Sequence, residues 1–164
     1  MKELDKYRQW RRINKMKPGQ TYRFTKQEII LRFFAFHDKY KYYEGHLAKF
    51  LNEYMHNNQN LSESKLDKKR QLFYRTVEFI DLKIFNRKAP PKLSLTFLEA
   101  LLVGIGTNIS EVEEHFNSEE AKSRYNSLAN KDDFSESALR EGLSKRQRVI
   151  NRMKTAIQTF NPHL

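Results

Sequence analysis

Arg23-Phe24-Thr25-Lys26-Gln27-Glu28-Ile29-Ile30-Leu31-Arg32-Phe33-Phe34-Ala35-Phe36-His37 decides the fold class, because as a helix it is apolar almost all the way round. Thr25 followed three residues later by Glu28 has the form of a capping box, which predicts a helix from Thr25 to His37. At about 100° per residue, Ile29, Phe33 and Phe36 share one face, while Leu31, Phe34 and Ala35 cover much of the rest. A helix of that kind belongs in the middle of a domain. Glu28 and Arg32 stand four apart on it and are expected to pair.

Other helices are placed around this one. The first is predicted over Glu3–Met16, ending at the breaker Lys17-Pro18-Gly19. A third runs from Tyr43 to His56, with Leu47, Phe50, Leu51 and Tyr54 at helical spacing. Ser62 or Ser64 caps a long fourth helix that keeps Phe73, Val77, Ile80 and Ile84 on one side and ends near Asn86. Leu95, Leu98, Leu101, Leu102 and Ile105 define a buried fifth helix from Ser94, expected to close at Gly104 or Gly106. Ser118 to Leu128 reads as a short acidic helix. The last is predicted over Glu136–Phe160, with Leu139, Leu143, Ile150, Met153, Ile157 and Phe160 in one stripe. No alternating strand pattern and no internal repeat occurs. The reading is therefore all-α: one compact domain of six to seven helices with an aromatic core, residues 1–24 a basic helix and turn and residues 25–164 the helical body.

This stretch and Tyr42-Tyr43-Glu44-Gly45-His46-Leu47-Ala48-Lys49-Phe50-Leu51-Asn52-Glu53-Tyr54-Met55 resemble the C-terminal helical half of the GmrS-like proteins, the domain-of-unknown-function 262 family of bacterial defence. Arg23, Glu28, Leu31, Arg32 and Phe33, then Leu47, Phe50, Leu51, Asn52 and Met55, follow that family's pattern. Phe97 to Gly104 and the final helix continue it more loosely. The resemblance implies a helical module beside a nucleotide- or DNA-processing half that carries an Asp-Gly-Gln-Gln-Arg signature. Here that signature is absent, with only Gly19-Gln20 present. A His-Asn-His nuclease domain, which many family members carry, needs clustered His around a metal, whereas His37, His46, His56, His115 and His163 are scattered. The expected function is thus a non-catalytic module of a restriction-type, anti-phage defence protein. Its partner would be a subunit carrying the missing half or a nuclease, with DNA as a further partner. A stand-alone DNA-binding regulator is the alternative, and a nucleotide-acting enzyme a weaker one.

Composition sets bounds on these readings. The 164 residues suit one domain, and 12 Phe and 8 Tyr supply large buried area per side chain. Five Gly and four Pro leave few turns, and no Cys is present, which removes disulfide and thiolate chemistry and fits a cytoplasmic location. No apolar run approaches the roughly 20 residues of a membrane span. The net charge is +11, unevenly placed: residues 1–26 carry nine Lys/Arg against two acids, and residues 110–137 eight Asp/Glu against three Lys/Arg.

Three groups of candidate site residues follow. Arg8, Trp10, Arg11 and Arg12 interleave cations with an aromatic ring, a composition suited to phosphate contact and stacking, or to a solvated helix whose Leu4, Tyr7 and Trp10 face the body. Lys145, Arg148 and Arg152 fall opposite the apolar stripe of the last helix and form a basic ridge. Arg23, Glu28 and Arg32 set two cations around one carboxylate, leaving charge for a phosphate or forming a buried ion network. Arg146 falls inside the apolar stripe, where it needs a carboxylate or a ligand. Residue spacing gives no catalytic residue, cofactor or metal site; His37 and His46 lie nine apart with no ligand spacing around them. The oligomeric state is not encoded in any of these patterns.

Overall fold

The computed structural model describes residues 2–14, 20–91, 93–135, 138 and 142–164, with residues 20–25 described by their backbone alone. Among them are eight α-helices and no strand. A 3-10 turn at Leu4–Lys6 leads into α1 (Arg8–Asn14), followed by α2 (Gln20–Lys39), a 3-10 turn at Tyr40–Tyr42, α3 (Leu47–Asn57) and α4 (Glu63–Phe79). α4 continues directly into a π-helical turn, Ile80–Ile84. Then come α5 (Leu95–Thr107), α6 (Ile109–His115), α7 (Ser118–Ala129), a 3-10 turn at Asp132–Phe134 and α8 (Arg146–Thr159).

The centre of the domain is α5, where every residue from Phe97 to Gly106 is buried. Its sequence explains this, since Glu99 is its only charge and a helix apolar all round must be enclosed. Ser94 caps it, the hydroxyl oxygen accepting from Phe97 N–H at 3.1 Å. α8, α2 and α4 surround it, with the α8 contact the most extensive. Gly104 and Gly106 lie inside α5, which runs on to Thr107, and so do not terminate it. Their role is close approach: a Cβ on Gly104 would come within 2.7 Å of the Ala156 carbonyl oxygen, and one on Gly106 within 2.8 Å of the Phe33 ring. Asn108 ends α5, and α6 departs at 79°. The Asn108 amide ties the corner, donating to Gly104 O at 2.9 Å and Ile157 O at 3.0 Å.

Aromatic rings supply much of the core. Phe33 packs against Phe34 and Phe73, and Phe73 meets Trp10 edge-on at 5.5 Å. Phe36, Tyr43 and Phe50 form a second group with centroids 5.1–5.5 Å apart. Phe97 joins Tyr125 and Phe134 in a third. Such edge and tilted contacts add about 0.5–1.5 kcal/mol per pair beyond area burial.

Several helix bounds depart from the sequence reading. α2 begins at Gln20, so Thr25 lies inside it and the division at residue 24 falls within one helix. The Glu28–Arg32 pair does form, at 2.6 Å, with Arg32 largely covered. α3 begins at Leu47, four residues after the predicted start, because Tyr43 is drawn into the core. α6 is an additional helix. α8 begins at Arg146, ten residues after the predicted start; Leu139 lies outside the described residues, and Leu143 is exposed. Among the described residues no single helix is long and apolar enough to cross a membrane.

Candidate nucleic-acid interface

Several cations gather where α1 docks on the end of α4. Trp10 and Ile13, both buried, hold α1 against the body. The π-helical turn, closed by Phe85 N–H donating to Ile80 O at 3.1 Å, inserts an extra residue into the helical ladder and buries Asp81 to 2% exposure. Directly after it the chain reverses through Asn86 (φ 50) and Arg87 (φ 58), two consecutive non-glycine residues in the left-handed region. Backbone strain of about 1–3 kcal/mol per residue is typical there, and it is found most often at functional sites. Arg87 N–H donates to Asp81 O at 2.7 Å and sets the turn.

Arg12 crosses to this corner, its Nη1 donating to Asp81 Oδ2 at 3.1 Å and to Arg87 O at 2.9 Å. Burial pushes the Asp81 carboxyl above its ordinary range, while Arg12, Arg87 and Arg8 act against that shift. Arg12 alone bonds the buried carboxylate, and the charges of Arg87 and Arg8 act on it from nearby. Glu78 is the other acid felt by Asp81, and it also faces the Tyr7 hydroxyl, whose pKa is pushed up to about 12, by burial first and then by Glu78. With exposed Lys88 following Arg87, four cations stand against two carboxylates. Arg8, Arg87 and Lys88 face solvent, as does Arg11, whose Nε donates to Asp5 O at 3.1 Å.

Trp10 does not share that exposure. It is completely buried and edge-on to Phe73, so it offers no ring for a base to stack on. Its place among cations reflects the amphipathic helix of the blander sequence reading. Arg12 is likewise a docked residue, half-buried and paired with Asp81.

The other basic candidates are rearranged. Arg152 is 2% exposed and so leaves the predicted solvent ridge, while Arg146 is exposed with Nε donating to Tyr43 O at 3.2 Å. The two exchange the places the helical stripe gave them, because the buried face of α8 runs through Val149, Arg152, Met153 and Ala156. Arg148 is half-buried and donates to Ala138 O at 3.3 Å, which leaves Lys145 as the exposed member of the ridge.

Arg152 is buried, its Nη2 donating to Leu143 O. Burial pushes the Glu99 carboxyl up, with Arg32 and Arg152 opposing; burial lowers the Arg152 guanidinium, with Glu99 opposing. Arg32 completes the group, donating from Nη1 to Glu99 Oε2 at 3.3 Å and from Nε and Nη2 to Glu28 Oε1 at 2.9 and 2.6 Å. Arg32 thus meets two carboxylates, Glu28 and Glu99. The Arg23 side chain lies outside the described residues. These bonds tie α2 to α5.

Two further features depend on residues distant in the chain. Glu111 and His115 on α6 meet His163 near the C-terminus, 48 positions after His115 in the numbering. A groove of about 400 Å³ is lined by Leu31, Phe34, Met55 and Leu66, with Lys69 and Arg70 at its edge. Arg87 also escaped the sequence reading, since nothing local marks it as a partner of α1. No family model, curated protein or solved structure matches the chain.

Proposed function

We propose that the chain is a non-catalytic helical module that holds the phosphate backbone of nucleic acid through Arg8, Arg11, Arg87 and Lys88. The observation that carries this reading is the Arg12 bridge to Asp81 Oδ2 and Arg87 O, which sets exposed Arg8 and Arg11 of α1 beside exposed Arg87 and Lys88. The left-handed Asn86-Arg87 turn sets Arg87 and Lys88 in solvent beside α1, and a guanidinium is the side chain best suited to forked contact with phosphate. The aromatic residues of this corner are occupied in the core, which favours contact by charge over base recognition.

The sequence resemblance to GmrS-like proteins gives the module a setting, as the helical half that steadies a nucleotide- or DNA-processing domain or subunit in defence. Arg32 is saturated by Glu28 and Glu99, which weighs against the nucleotide-enzyme alternative.

Duplex DNA titrated at several salt concentrations tests the reading. Binding should be weak, nearly sequence-independent and salt-sensitive, with a slope of about 0.9 per phosphate contact. Replacing Arg8, Arg11 and Arg87 by Gln should flatten that slope by up to about three units with the fold intact by circular dichroism. An unchanged slope, or no binding at low salt, would defeat it.

A further inference from the structure

We infer that Glu111, His115 and His163 form a binding site for one divalent transition-metal ion, zinc being the best fit. Glu111 and His115 stand four apart, so one face of α6 presents both. His163 arrives from the turn after α8, where its N–H donates to Asn161 Oδ1 at 2.9 Å. That turn is brought beside α6 by the Asn108 amide, which joins the end of α5 to Ile157 of α8.

The geometry suits a metal. Glu111 Oε2 lies 3.6 Å from His115 Nε2 and 3.1 Å from His163 Nε2, and one ligand atom from each residue lies within 4.8 Å of the others. Tetrahedral zinc with bonds of about 2.0–2.1 Å requires ligand atoms about 3.3 Å apart, a value between those two separations. The imidazole rings stand edge to face with centroids 5.7 Å apart, so the nitrogens converge without the rings stacking. The i,i+4 spacing brings His115 Nε2 to Glu111 Oε2, and the fold brings His163 Nε2 to the same oxygen. Two neutral imidazoles and one carboxylate are a ligand set typical of zinc, and three protein ligands leave the fourth position to water. All three side chains are between 44% and 67% exposed, which gives an ion direct access from solvent.

Bound metal would clip the C-terminal turn to α6 and add stability by mass action. The site is separate from the arginine cluster, and its test does not involve nucleic acid. Tag-free chain is titrated with Zn²⁺ by calorimetry and with Co²⁺ by visible absorption. The expected result is one ion per chain at micromolar affinity, a tetrahedral Co²⁺ spectrum, and a melting temperature that rises with Zn²⁺. His115→Ala and His163→Ala should each weaken binding at least tenfold while keeping the parental circular dichroism, and His56→Ala should have no effect. No saturable binding, or binding unchanged in His115→Ala/His163→Ala, overturns the assignment.

Discussion

Gly104 in α5 lies against the main chain of Ala156 in α8, so close that the two helices touch backbone to backbone. The contact sets the distance between the central helix and its largest neighbour. A methyl at position 104 would meet Ala156 O, C and Cβ at 2.7, 2.8 and 2.9 Å, and none of these is the free end of a flexible side chain. Gly104→Ala gains about 1 kcal/mol of helix propensity but forces α8 outward, and overpacking of this kind costs about 1–3 kcal/mol. The clash should win, lowering the denaturant midpoint. A variant as stable as the parent would show that α8 can shift freely.

Trp10 is the only tryptophan, and its burial makes it a reporter. Its emission should be that of a shielded indole and should move to longer wavelength on unfolding. Trp10→Ala should destabilise the fold by about 3–5 kcal/mol, since α1 loses its main anchor. Trp10→Phe should keep α1 docked and leave the salt slope of DNA binding unchanged. A slope that falls with Trp10→Phe would mean the ring reaches nucleic acid.

Asp38 should contribute to the acid limb of stability. Burial alone would raise its pKa, but hydrogen bonds with His37, Lys69 and Tyr54 hold it well below the ordinary range. Lys69 Nζ donates to Asp38 Oδ2 at 2.6 Å, and the Tyr54 hydroxyl donates to the same oxygen at 2.6 Å. A depressed folded-state pKa gives stability that is present above the unfolded value, about 3.9, and is lost as pH falls below it. Asp38→Asn should therefore cost about 2 kcal/mol near neutrality and make the decline between pH 5 and pH 2 shallower. Urea melts across that range decide it; parallel declines in the two proteins would remove Asp38 from the account.

The all-α class and most helices could be read from sequence because α3, α4, α5 and α7 carry their own signals, in apolar spacing and in Ser62, Ser94 and the first acidic turn of α7. What could not be read depended on partners distant in the chain. Gly104 and Gly106 look like helix stops until Ala156 and Phe33 are placed opposite them. Arg152 looks like a surface residue because the partner of its buried guanidinium is a backbone carbonyl, Leu143 O, which spacing cannot announce. Trp10 among arginines fits a stacking platform and an amphipathic helix equally, and only Phe73 separates the two. In the basic cluster, Arg8 and Arg12 were evident from composition, whereas Arg87 gains its meaning from a π-helical turn that no spacing rule announces.

The contact between Gly104 and Ala156 also has a consequence for how the chain is made. The helix that most needs covering is closed by one that lies about 50 residues later, so the central pairing is non-local and pays its loop-closure entropy first. During synthesis α5 emerges well before α8. Until then Leu101, Leu102, Val103 and Ile105, all fully buried in the finished fold, lack their largest cover. α2 and α4, made earlier, can cover part of α5 at once, and a chain shortened before α8 should expose the remainder and aggregate more readily than the full chain.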